Sequence, residues 1–172
     1  MQIDSKMRTQ MFFAFIGIAI FLLAITGSQA GRQNQTLIED SQRYQQAEQL
    51  IKASKFADAA PLYASLLKSH DYYYIFHWRY GLCLAGQQKW SDAIVYFDKA
   101  RQIRPALVSD QVFLIQYGEL LFRTGQYGRS ERYLQQCLTY GADTEPGKIA
   151  TRLLPVVQQQ LTLQKGGQIR GE

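Results

Sequence analysis

Small and aromatic residues return at nearly regular intervals along this chain. Small residues stand at Ala47, Gly81 and Gly118, with 34 residues between the first two and 37 between the last two. An aromatic residue follows nine places after each of them, at Phe56, Trp90 and Tyr127. Such a period is typical of helical repeats, in which small residues let paired helices approach closely. Because one helix pair cannot bury its apolar face alone, the pairs must stack. We therefore predict an all-α solenoid (α-solenoid) of three helix–turn–helix units.

The pattern resembles the tetratricopeptide repeat family, most clearly in residues 74–107. That unit carries the family's small, aromatic and closing residues at Gly81, Trp90, Ala93, Phe97, Ala100 and Pro105. The resemblance implies repeats at 40–73, 74–107 and 111–144, with a short insertion near residues 106–110. The third repeat has Ser130 where alanine is usual, and the first has Leu66 in place of a small residue. Apolar residues at helical spacing then predict a capping helix over 146–165, kinked or split at Pro155, before a tail at 166–172.

An apolar stretch precedes the repeats. Residues 11–27 contain no charged side chain, and they just reach the ~17 residues that the shortest membrane-spanning helices need. We predict a transmembrane helix there as an anchor, between a tail at 1–10 and a linker at 28–39. The alternative is a signal peptide cleaved near Ala30, since a short apolar region followed by small residues also fits one. Because Lys6 and Arg8 come before the stretch, the repeats are expected outside the cytoplasm, on a single-pass membrane protein or, after cleavage, on a secreted or periplasmic one.

Few residues of this chain could carry catalysis. Cys83 and Cys137 have no CxxC or zinc-type spacing and are predicted to be buried free thiols, with a disulfide as the alternative. His70 and His77 belong to no hydrolase, nucleotide-binding or zinc motif. The net charge of +5 is spread along the chain without a basic run suited to nucleic acid. We predict no enzyme activity, no cofactor, no metal site and no nucleic-acid partner.

The resemblance also implies a binding surface, because partners of this family usually lie in a concave groove formed by the first helix of each unit. The corresponding positions of this chain are Tyr44, Gln45, Glu48, Trp78, Arg79, Leu82, Ile115, Gln116, Glu119, Phe122 and Arg123. Tyr44 and Trp78 are expected to anchor an extended or helical partner segment, while packing of Trp78 and Phe122 inside the core remains the alternative. In the family's chaperone-tail binders, basic groove residues clamp a C-terminal carboxylate. The corresponding clamp positions of this chain hold Tyr44, Glu48, Arg79, Val112 and Gln116. Only Arg79 is basic among them, which argues against that role.

These features together favour a protein that holds other proteins. The leading hypothesis is a protein–protein interaction scaffold or assembly factor for a membrane-associated complex, whose partners are subunits of that complex. Two alternatives remain open: a permanent structural subunit of an envelope machine, and a cleaved, soluble binding module. The sequence leaves the oligomeric state unpredicted.

Overall fold

The computed structural model describes residues 34–169, with side chains up to residue 166. The chain divides into two units, residues 1–43 and 44–172. In the first unit, residues 34–43 are helical. In the described part of the second unit the secondary structure consists of helices joined by turns, without strands, which confirms the all-α prediction for this part of the chain. Its elements are α1 (44–52), α2 (Phe56–Ser69), α3 (Tyr74–Gly86), α4 (Trp90–Ile103), a 3₁₀ helix (Pro105–Ser109), α5 (Gln111–Arg123), α6 (Tyr127–Thr139) and α7 (Glu145–Ile169).

The repeated aromatic residue marks the start of the second helix in each pair. Helices α2, α4 and α6 begin at Phe56, Trp90 and Tyr127. Two residues before each of these the backbone takes a positive φ, of 57° at Ser54, 62° at Gln88 and 75° at Gly125. A single left-handed residue reverses the chain between two helices. The three helix pairs are therefore closed by the same kind of turn.

The small residues lie where the two helices of a pair touch. A Cβ atom added at Gly81 would come within 2.8 Å of Phe97 Cδ2 and 3.2 Å of the Ala93 carbonyl oxygen. At Gly118 the corresponding neighbour is Leu134 Cδ2, also at 2.8 Å. A larger side chain at either position would force the helices apart, since protein interiors have no spare volume at such contacts. Gly81 and Ala93 therefore meet across the second helix pair, which confirms that small residues let the paired helices approach closely.

Three apolar clusters connect successive pairs. The first joins α1, α2 and α3 through residues such as Ala47, Tyr63 and Cys83. The second joins α3, α4 and α5 around Phe97 and Phe113, and the third joins α5, α6 and α7. Each cluster thus contains residues from both helices of a pair and from the helix that follows the pair. This is the arrangement of a stacked helical repeat, in which each unit buries the apolar face of its neighbour.

Helix α7 differs from the predicted capping helix in two ways. It runs without interruption from Glu145 to Ile169, so Pro155 does not split it. Ala150 and Val157 are its fully buried residues, whereas Ile149 and Val156 are 38% and 42% exposed. Of the apolar residues whose spacing predicts this helix, Val157 is thus buried and Leu153 and Leu161 are half-buried, whereas Ile149 and Val156 are exposed.

The predicted membrane anchor at 11–27, with its flanking tail and most of the linker, lies outside the described residues. Within residues 34–169, no helix combines the length and the apolar character needed to cross a bilayer.

Candidate protein-binding groove

A cavity of about 280 Å³ lies between α3 and α5, the first helices of the second and third pairs. We call it the groove cavity. Its walls are mostly apolar, and its polar groups come from α5. Leu82, Ala85 and Gly86 line it from α3, Gln116, Glu119, Leu120 and Arg123 from α5, and Phe56, Trp90 and Phe97 from α2 and α4. A cavity of this size and lining can accept an apolar side chain, with a few polar groups to orient it.

Four predicted groove residues line this cavity together: Leu82, Gln116, Glu119 and Arg123. Glu119 and Arg123 form an ion pair one helical turn apart, with Arg123 Nε at 3.2 Å and Nη2 at 2.9 Å from Glu119 Oε1. The guanidinium also stacks on Trp90, with Cζ 5.1 Å from the ring centroid. Because each charge is matched by its neighbour, this side of the cavity presents no excess charge to a ligand.

Trp78 is a packing residue and not an exposed anchor. Its side chain is only 6% exposed and meets the Phe113 ring edge to face, with centroids 5.4 Å apart. Its indole Nε1 donates a hydrogen bond of 2.8 Å to Gln116 Oε1. Of the two interpretations left open by the sequence, core packing is the one that the structure shows, because α5 lies over the indole.

A second group of predicted residues forms a polar cluster between α1 and α3. Glu48 accepts a hydrogen bond from the Tyr63 hydroxyl, and its Oε1 lies 3.0 Å from Arg79 Nε. The Tyr44 ring packs against Tyr63 and Phe76, at centroid distances of 6.2 and 5.6 Å. Burial, reinforced by the hydrogen bond to Glu48, raises the pKa of Tyr63 well above its ordinary value. Arg79 is therefore a paired charge inside a partly buried cluster.

The remaining predicted residues lie outside both groups. Ile115 is 6% exposed and packs in the cluster with α6 and α7. Phe122 is half-buried against Tyr127, with ring centroids 5.8 Å apart, so core packing is again what the structure shows. Gln45 is exposed on α1. The positions implied by the resemblance thus include groove, core and surface residues.

Sequence reasoning missed the apolar residues that form much of the cavity. Phe56, Trp90, Phe97 and Leu120 all line it. Phe56 and Trp90 occupy the repeated aromatic position, which is not among the first-helix positions that the resemblance implies for the groove. The edge of Phe56 lies so close to Gly86 that an added Cβ there would come within 2.2 Å of Phe56 Cδ2. The recurrence of Phe56 and Trp90 34 residues apart could have indicated that they line the groove cavity. The first helices of the pairs carry no such signal.

Other chemistry is limited in the part of the chain that the structure describes. Cys83 and Cys137 are free and buried, as predicted. Burial raises the pKa of Cys83 to about 12 and that of Cys137 above its usual value, so neither thiol is a ready nucleophile. Residues 34–166 hold no group of three or more side chains that could ligate a metal.

The stacked pairs and the groove between their first helices define the class of the described domain as a helical-repeat solenoid. Comparison with family models is more specific, because residues 44–107 match the model described as tetratricopeptide repeat. This segment is therefore similar to tetratricopeptide repeats, in agreement with the resemblance seen in the sequence. Among curated proteins, no sequence matches the chain significantly.

Several solved structures share the fold. The type III secretion translocator chaperone SycD of Yersinia enterocolitica is 17% identical, with a TM-score of 0.60 over 71% of this chain and 85% of SycD. The yeast Sti1 TPR2B domain, solved in a complex with pHsp70, is 16% identical, with a TM-score of 0.60 over 72% of this chain and 98% of that domain. PcrH, solved in complex with the chaperone-binding region of PopD, is 15% identical, with a TM-score of 0.59 over 70% of this chain and 91% of PcrH. At these identities the likeness establishes the fold.

Proposed function

We propose that this chain is a protein–protein interaction scaffold that binds a partner segment in the groove cavity. The observation that carries the proposal is an open, mostly apolar cavity of about 280 Å³ between the first helices of two repeats. The polar groups at this cavity are the Gln116 amide and the ion pair between Arg123 and Glu119. Such a site can bury a single apolar side chain of a segment lying across the groove. Among the fold neighbours, PcrH was solved with a segment of PopD, which supports the same use of this fold here.

The charges of the groove favour an apolar segment over an acidic tail. Arg79 is paired with Glu48, and Arg123 with Glu119. A carboxylate-bearing ligand would have to compete with these existing partners for the guanidinium groups. An apolar side chain needs no such exchange, because Leu82, Ala85 and Trp90 already offer an apolar wall.

The test is affinity purification with the full-length chain from detergent-solubilised membranes. Ala85→Arg places a long charged side chain in the cavity and is expected to reduce recovery of the bound subunits by at least about tenfold. Val95→Arg is the matched control, since Val95 is 63% exposed on α4 and does not line the cavity. Recovery of the same subunits by Ala85→Arg, with its folding confirmed by circular dichroism, would refute the groove as the binding site.

The proposed partners are subunits of a membrane complex, and the proposed location is the membrane. Residues 11–27 are the basis, since they have the length and composition of a short spanning helix. N-terminal sequencing of the mature protein tests this: an intact N-terminus in the membrane fraction supports the anchor, whereas a new N-terminus after Ala30 shows a cleaved, secreted or periplasmic module. Protease accessibility in sealed vesicles tests which side carries the repeats.

One observation favours the second candidate, a permanent structural subunit of an envelope machine. Large aliphatic residues are exposed seven residues apart along α7, at Ile149, Val156 and Leu163, the last of them 62% exposed. An aliphatic stripe of this kind suits permanent contact with another subunit. Co-purification in fixed stoichiometry that survives Ala85→Arg and is lost in Val156→Glu would favour this candidate over groove binding.

A further inference from the structure

We propose that one edge of the repeat domain lies against the lipid headgroups of the membrane. We call it the tyrosine edge, and it consists of the turns that join one helix pair to the next element, residues 70–73, 104–110 and 140–144. The inference goes beyond groove binding, and it rests on the proposed location of the protein in the membrane.

Exposed aromatic side chains are confined to this edge in residues 34–166. Tyr72, Tyr73 and Tyr140 are 59%, 46% and 47% exposed, and all three lie in the turns between pairs. The other large apolar side chains exposed in this part of the chain are aliphatic and lie on helices, for example Val95 and Leu163. The aromatic surface is therefore separate from the aliphatic surface.

The opposite edge of the domain is polar. Because the two helices of a pair run in opposite directions, the turns within pairs lie at one edge and the turns between pairs at the other. The turns within pairs contain no aromatic residue, and their largest side chains are those of lysine and glutamine, in residues 53–55, 87–89 and 124–126. The domain thus has one edge suited to an apolar–polar boundary and one suited to water.

The exposed tyrosines at the first junction are held in place by the core. The rings of Tyr72 and Tyr73 lie 4.4 Å apart, and Tyr73 lies 5.5 Å from Phe76. Phe76 in turn contacts Tyr44 and Tyr63 in the first apolar cluster, with centroid distances of 5.6 and 6.5 Å. Since the rings are already ordered, contact with a surface costs them little conformational entropy.

The chemistry of this edge fits the headgroup region. A tyrosine has an apolar ring and a polar hydroxyl, which is why tyrosines are enriched at the boundary between lipid and water. Arg104 is exposed at the second junction and held over the Tyr74 ring, with Cζ 4.7 Å from the centroid, so it offers donors to a lipid phosphate. The exposed acidic residues Asp71 and Asp143 lie on the same edge, so the contact does not require anionic lipid.

The path of the chain favours a lipid surface over a second protein as the occupant. The second unit begins at Tyr44 with α1, which runs to the turn at Ser54 on the polar edge. Helix α1 therefore starts at the tyrosine edge. The polypeptide that leads from the apolar residues 11–27 enters the repeat domain at the same edge that carries the exposed tyrosines.

The experiment measures water and lipid contact at each edge of the full-length chain in phosphatidylcholine nanodiscs. A nitroxide is attached to Ala106→Cys, an exposed position on the tyrosine edge, or to Lys89→Cys on the polar edge. Cys83 and Cys137 are buried, and the unsubstituted chain gives their background labelling. Paramagnetic resonance then compares collisions with a nickel chelate, which stays in water, and with oxygen, which enters lipid. We expect about threefold fewer nickel collisions at position 106 than at 89, and more oxygen collisions.

Substitution of the tyrosines tests their part in the contact. Replacing Tyr72, Tyr73 and Tyr140 by serine is expected to raise nickel access at position 106 most of the way to the level at 89. Val95→Ser is the matched control, because it removes an apolar side chain of similar exposure from α4, and it should change neither position. The comparison of positions 106 and 89 uses the native tyrosines, so it stays decisive even if the serine variant folds poorly.

The outcomes separate this inference from the location on which it rests. Equal nickel access at positions 106 and 89 in a chain with an intact N-terminus would overturn the tyrosine edge and leave the anchor. Few collisions with both nickel and oxygen at 106 would show a protein contact there and would also overturn it. A chain recovered with a new N-terminus after Ala30 would contradict both the inference and the membrane location.

Discussion

At the scale of single residues, the same turn is built from three different amino acids. Ser54, Gln88 and Gly125 all adopt a positive φ two residues before the aromatic that opens the next helix. A side chain disfavours this conformation, and only glycine adopts it freely. The turn therefore has a left-handed residue in every pair. Only the third pair has glycine, Gly125, at this position.

Replacing Gly125 by alanine tests this directly. A Cβ atom at Gly125 would meet no atom within 4 Å, so any loss comes from the backbone alone. We expect Gly125→Ala to lower the free energy of unfolding by about 1 kcal/mol, measured by urea titration. Gly128→Ala is the control, because Gly128 lies in α6 with only Leu161 Cδ1 at 4.0 Å from the added atom. Equal effects of the two substitutions would contradict the assignment.

At the scale of elements, α5 has a side-chain cap at its N-terminus, whereas α2, α3, α4 and α6 have none. The predicted insertion near residues 106–110 is a 3₁₀ helix, Pro105–Ser109, which is followed by Asp110. The Asp110 carboxylate accepts hydrogen bonds from the backbone N–H groups of Val112 and Phe113, at 2.9 and 3.0 Å. Two of the otherwise unpaired donors at the beginning of α5 are thereby satisfied.

Removing this cap is expected to weaken the third helix pair. Asp110→Ala should cost about 1 kcal/mol of stability, the typical value for losing an N-cap acceptor. Asp110→Asn keeps a side-chain oxygen at the same position and should lose much less. Thermal unfolding followed by circular dichroism compares the two. An alanine variant as stable as the asparagine variant would show that the cap contributes nothing.

At the scale of the whole repeat domain, the joins between pairs bury titratable groups. Tyr63 and Cys83 lie in the first apolar cluster and Tyr117 in the second. Burial raises the pKa of all three, with added contributions from Glu48 at Tyr63 and from Asp98, 2.6 Å from the Tyr117 hydroxyl. The interfaces that hold the repeats together therefore require these groups to be protonated.

The consequence is a loss of stability at high pH. In the unfolded chain a thiol ionises near pH 8.5 and a phenol near pH 10, whereas the folded pKa of Cys83 is about 12. Stabilisation is therefore complete below about pH 8.5 and declines as the pH rises toward the folded values, because the unfolded state releases its protons first. Urea midpoints at pH 7, 9 and 11 should fall in that order. A midpoint that is unchanged or higher at pH 11 would contradict the burial of these groups.

The helical fold was predictable from the sequence because its determinants are local and periodic. Small residues such as Gly81 and Ala93 permit close helix contact wherever they recur, and an aromatic such as Trp90 marks each helix start. These properties depend on spacing along one chain segment, so they can be read without knowing the neighbours. The continuity of α7 was less accessible, because Pro155 predicts an interruption, whereas the helix continues through it and buries Ala150 and Val157 on either side.

Which groove positions are open was decided by the tertiary structure. Trp78 and Ile115 occupy the place in their repeats that half-buried Tyr44 occupies in the first. Both are buried more deeply, because α5 covers Trp78 and α6 and α7 cover Ile115. The groove cavity combines Phe56 and Arg123 from helices far apart in the sequence. Helix spacing specifies the side of a helix on which a residue lies, but the accessible surface depends on the helices that pack against that side. The sequence by itself therefore determined the repeat and its pairing, whereas the packing of successive pairs determined the site.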